Sequence, residues 1–180
     1  MSFFSVAIGK EQLRFTAAHF IAFPGFREPL HGHTYQAHVS VSGPVGPDGY
    51  VVDFLVLKKI AEEECAQLHF RTLLPRDSDC LTIGESEGQI RVACEDGSSF
   101  VLPRQDVCLL PIVHSSSEEI AQYLVARLRQ RLSTERNSIE TIEVSIEDIP
   151  GQVAVCREAF VLGEGEDGEY EKDNVTTQRA

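Results

Sequence analysis

The segment HGHTYQAHVSVS, His31 to Ser42, alternates in polarity from His33 onward. Tyr35, Ala37, Val39 and Val41 share one parity and Thr34, Gln36, His38 and Ser40 the other, until Gly43-Pro44 ends the run. A period of two with one apolar parity describes a half-buried β-strand. Upstream, Phe3 to Ile21 carries two more alternating stretches, interrupted near Gly9 to Gln12, where a bend or bulge is expected. Between the two strands, Pro24, Gly25 and Pro29 mark Phe23 to Pro29 as a loop.

Downstream, the period changes. Leu55, Ile60, Ala61, Cys65 and Leu68 recur at helical spacing, which predicts a helix over Phe54 to Leu68 with Asp53 as its N-cap. Arg71 to Val113 is less regular, but Gln89 to Cys94 and Ser99 to Leu102 flank Asp96-Gly97, the signature of an inserted β-hairpin. The serines 115 to 117 and Glu118-Glu119 open a second helix, with Ile120, Tyr123, Leu124, Leu128 and Leu132 as its apolar stripe. Thr141 to Glu147 and Gln152 to Val161, joined through Pro150-Gly151, read as the closing strands. The expected architecture is α+β: a four-stranded antiparallel sheet with two helices on one face and an inserted hairpin at about 71–113. The open sheet face calls for a cover, and oligomerisation would supply one.

The chain has 180 residues, 42% of them hydrophobic, enough for one domain, expected over 1–162. The remainder, 163–180, has six acids against two bases and almost no apolar residue, so a disordered tail is expected. A net charge of -12 opposes non-specific binding to nucleic acid or anionic lipid. An anionic substrate therefore needs a local basic pocket. No apolar run approaches the ~20 residues of a membrane span and no secretory signal is evident, which points to a cytoplasmic protein. Cys65, Cys80, Cys94, Cys108 and Cys156 are odd in number and widely spaced, without a C-x-x-C pair. A reducing compartment and small apolar roles follow.

His31 and His33 sit at i and i+2 on one strand, so their imidazoles project from one face, and Gly32 between them admits close backbone approach. His19, at the end of the preceding strand, comes alongside when that strand pairs with this one. Three neutral imidazoles with an open fourth position describe a catalytic zinc site. Glu28, three residues before His31, places a carboxylate where a general base is needed. His38 falls on the polar parity and His114 just before a helix cap, so both read as structural or solvent-facing, although a loop could carry His114 into a pocket.

Several motifs together resemble the 6-pyruvoyl-tetrahydropterin synthase family, which also includes 6-carboxytetrahydropterin synthases: FTAAHF at Phe15 to Phe20, LHGHTY at Leu30 to Tyr35, GYVVDFLVLK at Gly49 to Lys58, SSSEEIAQYL at Ser115 to Leu124, and the strand ending in Glu147. The resemblance implies the tunnelling fold, whose trimers close a twelve-stranded barrel and stack in pairs as a hexamer. It assigns zinc to His19, His31 and His33, the pterin ring to Glu147, and a contact from a neighbouring subunit to Ser116 and Glu118. It implies a pterin-synthesising lyase acting on 7,8-dihydroneopterin triphosphate. Two departures matter. The loop normally carries a catalytic cysteine, whereas Phe23 to Leu30 has none and offers Glu28, as in a branch that yields 6-hydroxymethyl-7,8-dihydropterin, a folate precursor. The usual Asp-His pair after the first helix reads Gln67-Leu68-His69-Phe70, leaving His69 or His114 as the proton relay. Arg27 is a candidate for meeting the triphosphate. The alternative is a metal-containing pterin- or purine-binding oligomer without turnover.

Overall fold

The computed structural model of the chain describes residues 2–135 and 137–160, with residues 10–12 described by their backbone only. The expected tail at 163–180 lies outside the described residues. Strand β1 (Phe4–His19) runs antiparallel to β4 (His31–Gly43), and their register shifts between Gly9 and Arg14, the expected bulge. Between them the expected loop folds into a minimal ladder, β2 (Ala22–Phe23) with β3 (Phe26–Arg27). Pro24 and Gly25, the latter at φ +81°, make its turn. Helix α1 (Phe54–Leu68) is capped by Asp53, whose carboxylate accepts the Leu55 N–H at 2.7 Å. Ser116 caps α2 (Ser117–Leu132). Strands β10 (Thr141–Ile149) and β11 (Gln152–Ala159) close the sheet.

Among the described residues the main sheet has six strands rather than the expected four, in the order β11-β10-β4-β1-β5-β9. The added pair, β5 (Arg71–Pro75) and β9 (Val107–Leu110), runs parallel to β1. Short parallel strands read as plain apolar runs, so TLLP and VCLL carry no alternation to reveal them. The insert also departs from expectation: β6 (Leu81–Ser86), β7 (Gln89–Cys94) and β8 (Ser99–Pro103) form a three-stranded sheet, of which β7 and β8 are the expected hairpin. A short 3-10 helix, Arg104–Asp106, leads back to β9.

Both helices pack on one face of the main sheet, where Leu13, Phe15, Tyr35, Val39, Ile142 and Val144 meet Leu57, Leu68, Ile120 and Leu128. Leu55, expected on the apolar stripe of α1, is 76% exposed, and Leu57 is buried in its place. A second apolar cluster, around Phe20, Leu74, Ile90 and Val92, joins the insert to the main sheet. Between the helices, buried Glu64 accepts from Arg127 Nε at 2.9 Å and Arg131 Nη1 at 3.1 Å, which offsets the cost of burying its charge. Cys65 is buried beside it and burial pushes its thiol up to about 12, while Cys80, Cys94, Cys108 and Cys156 are only partly buried. No described helix is long and apolar enough to cross a membrane.

At the far end of β4 the backbone passes close to the segment before β10. A Cβ on Gly43 would lie 1.9 Å from the Ser138 carbonyl oxygen. Backbone must move to relieve that overlap, so Gly43→Ala should cost about 1–3 kcal/mol of stability, read as a lower midpoint in urea unfolding.

Candidate metal centre

The register of β1 against β4 sets His19 opposite His31 and Ala17 opposite His33. Antiparallel partners share a face at about 5 Å. The ring centroids accordingly stand 4.6 Å apart for His19 and His31, 5.3 Å for His19 and His33, and 4.8 Å for His31 and His33. One donor nitrogen from each lies within 4.8 Å of the others, so the three could hold a metal ion. Ala17, being small, leaves room for the His33 ring beside His19. Gly32 proves less critical than its place suggests, since a Cβ there would meet only the Ala17 carbonyl oxygen at 3.4 Å.

Two rings are oriented by backbone carbonyls. A carbonyl only accepts, so His19 Nδ1 donates to Ser115 O at 2.6 Å and His31 Nδ1 to Pro29 O at 2.8 Å, leaving each Nε2 with a free lone pair. His19 is 3% exposed and its Nε2 has no hydrogen-bond partner among the described residues. An unsatisfied buried polar atom costs about 1–3 kcal/mol, and a cation held by the triad would satisfy this one. Burial holds the His19 pKa below its usual value; the His31 and His33 rings push the same way, against the Ser115 carbonyl and Glu28. The neutral form that results is the one that binds a metal.

Glu28 is fixed at the base of the β2–β3 ladder. Its N–H donates to Ile21 O at 2.9 Å, and its Oε2 accepts the Ile21 N–H at 3.1 Å. The charge of Glu28 is felt at both His19 and Tyr35. The insert fastens the ladder from outside: Arg27 Nε donates to Asp96 Oδ2 at 2.9 Å, the Gly25 N–H donates to Glu95 Oε2 at 3.0 Å, and the Arg27 guanidinium lies 5.5 Å from the Phe100 ring centroid. Phe100 stacks on Phe20, the residue after His19. The Ser98 hydroxyl and N–H, with Arg27, hold the Asp96 carboxyl down to about 2.

The remaining candidates scatter around this centre. His114 adjoins Ser115, and its Nδ1 meets Glu119 Oε1 at 2.9 Å. Ser116 caps α2, and Glu118 is an exposed acid in its first turn. His69 ends α1 and its Nδ1 accepts the Thr16 N–H at 2.9 Å, on the edge of β1 away from β4 and three residues before His19. Glu147 pairs with Gln36, placing it on the opposite face of the sheet from Tyr35, and its Oε1 accepts the Gly151 N–H at 2.7 Å. Arg27 gives its guanidinium to Asp96 and to the Glu28 carbonyl. His38 faces away from the core, where a Cβ on Gly9 would lie 2.5 Å from its ring.

Sequence reasoning missed two neighbours. Tyr35 is wholly buried with no partner for its hydroxyl among the described residues, its ring edge-on to His19 and His33; burial and the charges of Asp148 and Glu28 raise its pKa. It shares the parity of His31 and His33, which was the signal available. Asp148, at the bulge of β10 and bonded to the Ser117 hydroxyl at 3.1 Å, offers no such pattern.

Residues 8–159 match the family model for 6-pyruvoyl tetrahydropterin synthase. A Methanocaldococcus jannaschii protein, provisionally named 6-carboxy-5,6,7,8-tetrahydropterin synthase, is 32% identical over 151 residues, covering 81% of this chain and 90% of its own. Among solved structures, a Plasmodium falciparum 6-pyruvoyl tetrahydropterin synthase aligns with a TM-score of 0.82 at 38% identity, covering 88% of this chain and 99% of that one. A Plasmodium vivax 6-pyruvoyltetrahydropterin synthase, solved as a glutamate-to-alanine mutant at a catalytic residue, aligns with the same TM-score and coverages at 35% identity.

Metal analysis should find one divalent ion per chain, and His19→Ala, His31→Ala or His33→Ala should each remove most of it. A pH effect is expected at Glu119, which accepts from the Val113 and His114 N–H groups and faces the His114 ring. Burial pushes its carboxyl up, but these partners outweigh burial and leave it below the usual value. Its stabilisation is therefore complete above the unfolded pKa and lost as pH falls through the folded one. The stability gap between this chain and Glu119→Gln should narrow as pH falls below the ordinary carboxylate pKa of about 4.3 in denaturation series.

Proposed function

Because the chain belongs to the 6-pyruvoyl tetrahydropterin synthase family, we propose that it is a zinc-dependent lyase of pterin synthesis acting on 7,8-dihydroneopterin triphosphate. The observation that carries this reading is the histidine triad with its buried unsatisfied Nε2, beside a carboxylate fixed on the neighbouring ladder. His19, His31 and His33 hold the metal, and three imidazoles favour zinc. Bound zinc would polarise side-chain hydroxyls of the substrate.

Glu28 is the base. A free carboxylate is a weak acceptor for a hydroxyl proton, so this role depends on position, which the two Ile21 bonds supply. The Plasmodium vivax relative, whose mutated catalytic residue is a glutamate, supports it. With no cysteine in 23–30, the favoured product is 6-hydroxymethyl-7,8-dihydropterin, with 6-pyruvoyl-tetrahydropterin the lesser one. Glu147, with Oε1 held by Gly151, has Oε2 left to accept from a pterin ring; since it faces away from the triad of its own chain, that ring would be shared between copies, with Ser116 and Glu118 of a neighbouring copy aiding. His114, next to the residue that orients His19, or His69, at the end of α1, would serve as the proton relay. Arg27 fastens the ladder with two of its N–H groups, and the rest would be its contribution to meeting the triphosphate. The sheet face away from the helices becomes the lining of a trimeric barrel, paired into a hexamer.

One observation favours the alternative of a binder without turnover: the His69 Nδ1 is taken by a backbone N–H and not by a carboxylate. Incubation with the triphosphate substrate and chromatography of the products separates the two readings. Glu28→Gln should lower turnover by about 10²-fold or more with metal stoichiometry unchanged. Unaltered turnover would remove Glu28 from the mechanism, and saturable binding without release of triphosphate would establish the binder.

A further inference from the structure

A second concavity, of about 770 Å³, opens between α1, α2 and the returning end of the insert, and no member of the histidine triad lines it. Three arginines from three elements do: Arg71 from the start of β5, Arg104 from the 3-10 turn and Arg127 from α2. Glu64 is the one carboxylate among the lining residues, and its charge is already shared by Arg127 and Arg131. The long-range field of a chain at -12 repels anions, and against it these guanidiniums gather positive charge locally, Arg104 sharing its charge with Glu85 and Arg127 with Glu64.

The guanidiniums are held in place yet mostly unspent. Each carries five N–H donors. Arg71 gives one to the Gln105 carbonyl; Arg104 gives two, to Glu85 and the Val107 carbonyl; Arg127 gives two to Glu64. They also converge. Burial pushes the Cys108 thiol up while Arg71 and Arg104 both act against that rise, and the Tyr123 hydroxyl feels Arg127 and Cys108. Planar forks of this kind match phosphate oxygens two at a time, and the volume suits several linked phosphates better than one.

We propose that this pocket is an oligophosphate-binding site, with Arg71 and Arg104 as its principal contacts. The ligand is either the phosphate tail of a substrate or a free oligophosphate. Arg71 pairs with Ala17, two residues before His19 on the same strand, so the pocket starts within a few residues of the metal centre.

Calorimetric titration of the full chain with inorganic triphosphate tests this. Because triphosphate also strips metal ions, the titration is repeated on His31→Ala, which makes the outcome independent of the metal and of the proposed reaction. The expected result on both is one saturable site per chain, weakened by added salt, with at least tenfold loss of affinity in Arg71→Ala and in Arg104→Ala. Both side chains are exposed, so thermal unfolding should stay near that of the parent chain. Arg91→Ala, on β7 outside the pocket, should bind as before. Absence of saturation, or affinity unchanged in both pocket variants, overturns the proposal. Given a site, the source follows from kinetics: a raised KM at constant kcat in Arg71→Ala, with competition by triphosphate, assigns the substrate tail, and binding without competition assigns a free oligophosphate.

Discussion

The antiparallel register between β1 and β4 is the constraint on which the candidate centre depends. Pairing His19 with His31 places three imidazoles within reach of one ion, and a slip of one residue would turn His31 and His33 to the opposite face. The bulge between Gly9 and Arg14 lets a 16-residue strand keep its apolar parity toward the helices at both ends, so the end that carries His19 stays in phase with the core. Packing then enforces what pairing begins. Phe15 and Tyr35, directly opposite each other, stack in the core at 4.9 Å, one step along the ladder from the triad.

Two supports complete the centre, and both come from parts of the chain remote in sequence. The carbonyl of Ser115, just before α2, orients His19, and the Ser115 hydroxyl is tied to the Phe20 carbonyl at 2.7 Å. The insert holds the ladder that bears Glu28, through Arg27, Gly25 and the Phe20–Phe100 stack. A region that reads in sequence as an appended hairpin thus acts as an outer wall for the loop carrying the carboxylate. Its apolar cluster is continuous with Phe20 and Ala22, so wall and ladder pack as one body.

Much of this was legible before the fold. The long strands show a period of two and the helices a period of 3.6, because each buries one face over many residues, and the caps Asp53 and Ser116 stand where such runs begin. The triad was legible for the same reason, since parity sets which side chains share a face. β5 and β9 were not legible: apolar at successive positions and only a few residues long, they show no alternation. Nor was the third strand of the insert, where Thr82, Gly84 and Glu85 dilute the pattern.

By itself, then, the order of residues determined the α+β class, the two helices, the long antiparallel strands and the three histidines that could hold a metal, all properties of local period and residue type. Tertiary structure alone decided that Arg27 is bound to Asp96, that Glu147 turns to the other sheet face, that Ser115 orients His19, and that Arg71, Arg104 and Arg127 meet around one cavity. Each of these joins segments far apart along the chain, and local periodicity carries no information about which distant segments become neighbours.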